Sequence, residues 1–149
     1  MITTIRTDSE NADFRQLVSQ LDQYLARIDG DEHTFYAKLN KTDLMREVIV
    51  AYEDKTPVGC GAIRAFSPEA MEVKRMYVLP EKRGMGIASV VLAALEEWAK
   101  ELGYPKTVLE TGKRQPEAIA LYTNRGYVVT PNYGQYVGVE NSVCFEKPL

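Results

Sequence analysis

A chain that passes from a strand into two glycines and on into a long amphipathic helix has few folds open to it. Residues 72–102 read EVKRMYVLPEKRGMGIASVVLAALEEWAKEL. Glu72 to Val78 carries a strand pattern, a charged turn with a proline follows, and then come Gly84 and Gly86. Beyond them Ile87, Val91, Leu95, Trp98 and Leu102 make one apolar stripe at the helical period, while Glu96, Glu97, Lys100 and Glu101 take the wet face. The first turn of a helix has N–H groups without intrahelical partners and carries partial positive charge, and glycines let a bulky anion approach it. Strand, glycine turn and helix therefore predict a phosphate cradle, with Lys82 and Arg83 beside it as mobile cations.

Three phosphate-binding readings compete. A P-loop needs Lys and then Ser or Thr after its last glycine, but Ile87 and Ala88 follow Gly86. A dinucleotide fingerprint finds only Gly84, Gly86 and Ser89, with Glu110 near the place of a ribose-binding acid. There the turn leaves its strand directly, whereas Leu79 to Arg83 intervene here. The third reading is an acyl-CoA loop. Arg83-Gly84-Met85-Gly86-Ile87-Ala88 fits the pattern Gln or Arg, two residues, Gly, one residue, Gly or Ala. Met76-Tyr77-Val78 precedes it ahead of Pro80, and Leu121-Tyr122 stands shortly before Gly126-Tyr127. In order and spacing these residues resemble the catalytic half of the GNAT N-acetyltransferase superfamily, over Glu47 to Phe145. A merely tight turn at the glycines explains neither the basic flank nor the later tyrosine.

The resemblance implies one α/β domain over residues 1–149, a twisted mixed sheet of about six or seven strands with about four helices on its two faces. It implies acetyl-CoA as co-substrate, held by Met76, Tyr77, Val78, Arg83, Gly84, Met85, Gly86, Ile87 and Ala88. Gln115 stands where the family often has Asn; it offers the same amide on a longer arm.

Composition narrows the partners. A chain of 149 residues is the size of one domain and can bury about two-thirds of its unfolded surface. Its net charge of −3 argues against a general nucleic-acid binder. The local basic residues Lys74, Arg75, Lys82, Arg83, Lys113 and Arg114 suit a small anionic ligand instead. Cys60 and Cys144 are too few for a disulfide framework and read as buried thiols, and His33 lacks partners at metal-ligand spacing, so no metal is expected. No apolar run reaches membrane-spanning length and no signal segment opens the chain, which predicts a cytoplasmic protein without membrane association.

In chain order the pattern predicts a strand at Ile2–Arg6, then a helix opening among Asp8, Ser9 and Asn11 and ending at Gly30, with Phe14, Leu17, Val18, Leu21, Leu25 and Ile28 inward. A shorter helix follows at Glu32–Leu39. Tyr24, His33 and Tyr36 read either as aromatics packing these helices or as acceptor contacts. Arg46–Tyr52 and Val58–Ala65 form a hairpin that leads to the Glu72 strand. Strand Lys106–Thr111, helix Pro116–Asn124 and strands Tyr127–Val129 and Ser142–Glu146 complete the chain; the helical crossovers imply parallel pairing.

Acetyl transfer to an amine needs the amine neutral, the carbonyl oxygen stabilised and a proton for the leaving sulfur. Neutralising a lysine-like amine at pH 7 costs roughly 4.6 kcal/mol, against about 1.4 kcal/mol for an α-amine. The resemblance implies Glu72 as the proton acceptor, directly or through water, beside the reading of an exposed strand glutamate. It implies Tyr122 as the acid that protonates sulfur, beside the reading of a packing tyrosine, and a backbone N–H near Met76–Val78, where the central strand splays, as the carbonyl's partner.

Strand alternation puts Glu72, Lys74 and Met76 on one face and Arg75 and Tyr77 on the other. Lys74, with Arg64, Lys113 and Arg114, forms a candidate pocket for a carboxylate-bearing, amino-acid-like amine; plain surface charge and coenzyme phosphates are the other readings. Tyr133 and Tyr136 lie in a polar-aromatic loop of a kind that closes over small ligands. The expected function is an N-acetyltransferase acting on a small-molecule primary amine by direct transfer in a ternary complex. A non-catalytic acyl-CoA-binding regulatory module and a protein N-terminal acetyltransferase are the alternatives. The sequence does not fix the oligomeric state; pairing of two copies through the C-terminal strands is one candidate assembly.

Overall fold

The computed structural model describes residues 1–29 and 44–149. Seven strands form one sheet: β1 (Ile2–Thr7), β2 (Glu47–Glu53), β3 (Thr56–Ser67), β4 (Ala70–Val78), β5 (Lys106–Gly112), β6 (Val128–Thr130) and β7 (Ser142–Pro148). They lie in the order β1-β2-β3-β4-β5-β7-β6. Three α-helices accompany them among the described residues: α1 (Ala12–Asp29), α2 (Ile87–Glu101) and α3 (Pro116–Asn124). The expected helix at Glu32–Leu39, with His33 and Tyr36, and the expected stop at Gly30 lie outside the described residues. No helix among the described residues is long and apolar enough to cross a membrane.

Local chemistry fixes the start of α1. The Asn11 Oδ1 accepts the Phe14 N–H at 2.9 Å, which satisfies one orphan donor of the first turn. Ser9 exchanges two bonds with Met45: its N–H reaches the Met45 carbonyl at 2.9 Å and its Oγ accepts the Met45 N–H at 3.0 Å. Phe14, Leu17, Val18 and Leu21 of α1 pack on one sheet face against Val48, Val50, Cys60, Ala62 and Tyr77. On the other face Ile87, Val91, Leu92, Leu95 and Ala99 of α2 pack against Ile49, Ile63, Val73, Leu109 and Phe145. Each such aliphatic side chain is worth about 1.5–3 kcal/mol of burial. The predicted α2 stripe shifts at its end: Leu102 caps the helix and is 46 % exposed, while Leu92 and Ala99 are buried in its place.

The sheet is mixed, but its parallel part is short. β4 runs antiparallel to β3, yet pairs with β5 only at Ala70–Glu72 against Lys106–Val108. Beyond Glu72 the two strands part. The opening thus begins at Val73, earlier than the Met76–Val78 splay expected from the sequence.

A bulge sits in the same stretch. Cys60 pairs with Tyr77 and Ala62 with Lys74, so Gly61 alone faces both Arg75 and Met76. Arg75 takes the left-handed conformation, φ 61°. The extra residue overturns the predicted alternation. Lys74 pairs with Ala62 and Tyr77 with Cys60, both on the α1 face, whereas Met76 turns to the α2 face. Gly61 makes room for that turn, since a Cβ there would stand 2.5 Å from the Met76 Sδ. The Arg75 side chain is buried: its Nη2 donates to the Asp22 Oδ1 of α1 at 2.6 Å, and its Nε and Nη1 have no hydrogen-bond partner.

Candidate active site

The glycine turn has the form that the sequence predicts. Gly84 and Gly86 adopt φ 81° and 80°, where L side chains are strained, and a Cβ on either would meet nothing within 4 Å. The backbone conformation, not crowding, demands these glycines. Gly86 is the N-cap of α2 and makes no side-chain cap bond. The first intrahelical bond runs from the Val90 N–H to the Gly86 carbonyl at 3.1 Å, which leaves the N–H groups of Ile87, Ala88 and Ser89 for another acceptor.

The two basic neighbours are less mobile than expected. Lys82 is ion-paired with Glu53. The Arg83 Nε donates to the Val78 carbonyl at 3.0 Å, and its guanidinium lies over the rings of Tyr24 at 5.3 Å and Tyr77 at 5.6 Å. That clasp joins the turn to both α1 and β4.

A groove of about 600 Å³ is lined by Arg83, Gly84, Gly86, Ile87 and Ala88 on one side and by Met76, Tyr77 and Val78 on the other. Met85 is 55 % exposed and is not part of its wall. A second, inner recess of about 120 Å³ holds Glu72, Lys74, Arg75, Glu110, Thr111 and Tyr136. Leu21, Met76, Gln115, Ala118 and Tyr122 line both. Gln115 is the N-cap of α3 but makes no side-chain cap bond, so its amide is not committed to the helix.

Tyr122, the one buried residue of α3, stands at that shared wall. Its ring meets Tyr127 edge-on at 5.8 Å and Phe145 at 6.2 Å. Burial, reinforced by the charge of Glu110, pushes its phenol pKa up, so the group stays protonated across the working pH range.

Glu72 is 4 % exposed, which excludes the exposed-strand reading. Its Oε2 accepts a hydrogen bond from the Tyr133 hydroxyl at 2.8 Å, and the Arg64 Nε lies 3.7 Å from its Oε1. Arg64 and Tyr133 thus reach Glu72 and line neither recess. Lys74 is buried beside them; desolvation lowers its pKa, with the charge of Glu72 opposing. Lys113 and Arg114 are exposed ahead of α3 and line neither recess. Cys60 and Cys144 are buried thiols, and burial raises their pKa values to about 12 and about 11. Among the described residues no three His, Cys, Asp or Glu side chains gather as a metal site.

Of the α1 residues at the site, sequence reasoning offered Tyr24 and missed Leu21 and Leu25. Leu21 and Leu25 line the inner recess and Tyr24 the groove. The first two share the apolar spacing of the core stripe, and nothing in a stripe marks which members face a cavity.

The known proteins most informative here are acyltransferases. The model of the Acetyltransferase (GNAT) family matches residues 8–127. IAA acetyltransferase from Azospirillum brasilense is 36 % identical over 138 residues, covering 90 % of this chain and 89 % of that protein. A solved structure from Klebsiella pneumoniae subsp. pneumoniae MGH 78578, provisionally assigned as an acyl-CoA N-acyltransferase, is 31 % identical, with a TM-score of 0.83 over 100 % of this chain and 98 % of that one. The PaiA N-acetyltransferase of Thermoplasma acidophilum, solved with coenzyme A, shares the fold at a TM-score of 0.73 and 17 % identity, over 100 % of this chain and 99 % of that one.

Proposed function

This chain belongs to the acetyltransferase (GNAT) family and is an acyltransferase, and from that premise we propose that it carries the acetyl group of acetyl-CoA to a primary amine of a small molecule. One observation carries the reading: the groove beside the glycine turn and the inner recess meet at a common wall that includes Tyr122. A thioester lying in the groove would present its acyl carbon to an amine in the recess.

The residues fit that donor. The N–H groups of Ile87, Ala88 and Ser89 and the glycines at φ 80° and 81° suit a pyrophosphate, with Arg83 alongside. Met85 contributes backbone alone in this reading. The β4 bulge supplies backbone polar groups at Met76–Val78 for the acyl carbonyl and the pantetheine arm, and the Gln115 amide adds a further polar contact. Bound acetyl-CoA supplies an activated acyl group on sulfur. In this reading Glu72 takes the proton that the amine must lose, and the Tyr122 phenol, kept protonated by burial, would donate its proton to the leaving sulfur. Direct transfer follows from the thiols: with pKa values of about 12 and about 11, Cys60 and Cys144 are poor nucleophiles at neutral pH.

The recess favours a small acceptor. A recess of about 120 Å³ matches a small head group such as that of an amino acid. Lys74 and Tyr136 in its wall suit a carboxylate on that acceptor. Pairing of two copies belongs to the same reading, along the edge strand β6, where Val128 and Val129 are 60 % and 68 % exposed. Sedimentation of the purified chain tests it.

The test of function is thiol release from acetyl-CoA across amino acids, polyamines, aminoglycosides and short peptides, with Tyr122→Phe in parallel. Release with carboxylate-bearing amines, much slowed in the variant, supports the reading. Tight binding of acetyl-CoA with no release from any amine points to a regulatory module. Failure to bind acetyl-CoA sinks the assignment of Arg83 to Ala88.

A further inference from the structure

The loop between β6 and β7 is built around one contact. The two hydrogens of the Asn132 Nδ2 are shared among the carbonyls of Tyr136, Val139 and Ser142, at 3.0, 3.1 and 3.2 Å, which folds the loop back on itself. Tyr133 is held between two rings, Phe66 at 4.7 Å and Tyr136 at 5.7 Å between centroids, both edge-on. Gly134 lies under Phe66 so closely that a Cβ would stand 3.1 Å from its Cε1. The outcome of this packing is that the Tyr133 hydroxyl reaches 61 residues back along the chain to the Glu72 Oε2 at 2.8 Å.

We infer that Tyr133 is a positioning residue for Glu72, and that the β6–β7 loop thereby belongs to the catalytic machinery and does not merely cover the acceptor. The inference rests on the proposed role of Glu72 as proton acceptor. A buried carboxylate can rotate about its terminal torsion and offer either oxygen. Here one rotamer is fixed. Oε2 is occupied by a charge-assisted O–H···O bond, and Oε1 has the Arg64 Nε at 3.7 Å, an ion-pair distance outside ordinary hydrogen-bond range. Oε1 is therefore the atom left to take the amine proton, with the Arg64 guanidinium beside it. The proton moves from the acceptor nitrogen to Oε1, and no other bond to Glu72 forms or breaks. Burial, the charge of Glu72 and the hydrogen bond to it all push the Tyr133 phenol up, so this contact persists as a donor across the assay range.

Tyr133→Phe removes one oxygen and keeps both ring contacts, so it isolates the bond. The experiment is a double-mutant cycle with Glu72→Gln, read as kcat and as KM for acetyl-CoA, with the thermal midpoint of each variant recorded. The expected result is about a tenfold loss of kcat in Tyr133→Phe, with KM for acetyl-CoA and the midpoint nearly native. In the Glu72→Gln background the same change should have little further effect, because the oxygen being oriented no longer accepts a proton. Equal losses in both backgrounds, or a native kcat in Tyr133→Phe beside a slow Glu72→Gln, would overturn this inference and leave the role of Glu72 standing. A native kcat in Glu72→Gln would instead remove Glu72 from the reaction, and the inference with it.

Discussion

At the scale of single residues, two side chains separate chemistry from packing. Tyr122 packs its ring on Tyr127 and Phe145, contacts that a phenylalanine would keep. Tyr122→Phe should therefore fold normally, lower kcat by roughly 10²-fold and leave KM for acetyl-CoA within about threefold. Because burial and then the charge of Glu110 raise the Tyr122 phenol, the group should add no alkaline limb below about pH 10; the rate should instead rise with pH as the acceptor amine loses its proton. Lys74 gives a prediction on stability. Its folded pKa lies below the ordinary 10.5, first because of desolvation. Between the two values the unfolded chain binds more protons, so its contribution to stability grows as pH rises through that window. The difference in thermal midpoint between the native chain and Lys74→Met should accordingly move in favour of the native chain from pH 7 to pH 10. A difference that stays flat would mean that Lys74 is solvated in the folded state.

At the scale of elements, the decisive joint is the turn into α2. Gly86 holds φ 80°, and a left-handed non-glycine residue costs about 1–2 kcal/mol. Gly86→Ala should lower the unfolding free energy by about 1 kcal/mol in denaturant titration and raise KM for acetyl-CoA by about tenfold, since the backbone that aims the first-turn N–H groups is the part disturbed. This joint was legible in the sequence because its cause is local: glycine spacing, an amphipathic period and a proline-marked turn are all written in consecutive residues. So were the seven strands and the helices α1 to α3, to within a few residues at their ends. The bulge was not. Arg75 is no glycine, and the irregularity exists because Gly61 on β3 admits Met76 from the facing strand. Its consequence, the reversal of side-chain faces after Lys74, escapes any count of alternation along β4 alone. The roles of Arg64 and Tyr133 were hidden for the same reason: both are explained by Glu72, a neighbour across the sheet and a partner 61 positions away.

At the scale of the whole molecule, the site is assembled from parts that touch only in the folded chain. The groove and the inner recess take their walls from α1, from β4 at and beyond the end of its pairing with β5, from β5, from the start of α2, from α3 and from Tyr136 of the β6–β7 loop. No unfolded segment holds this arrangement, so acetyl-CoA should bind the native state alone and stabilise it by mass action. At a concentration of 100 times Kd the gain is about 2.7 kcal/mol, which for a chain near 150 residues corresponds to a rise of roughly 5–10 °C in thermal midpoint. The same concentration should raise the midpoint of Tyr122→Phe by nearly as much, because in the proposed reaction the phenol acts on the leaving sulfur and not on the pyrophosphate. It should raise that of Gly86→Ala by several degrees less. This ordering separates the two ends of the groove. Equal shifts in all three proteins would place the bound coenzyme away from the glycine turn, and a shift lost in Tyr122→Phe alone would make that residue a binding contact and not an acid.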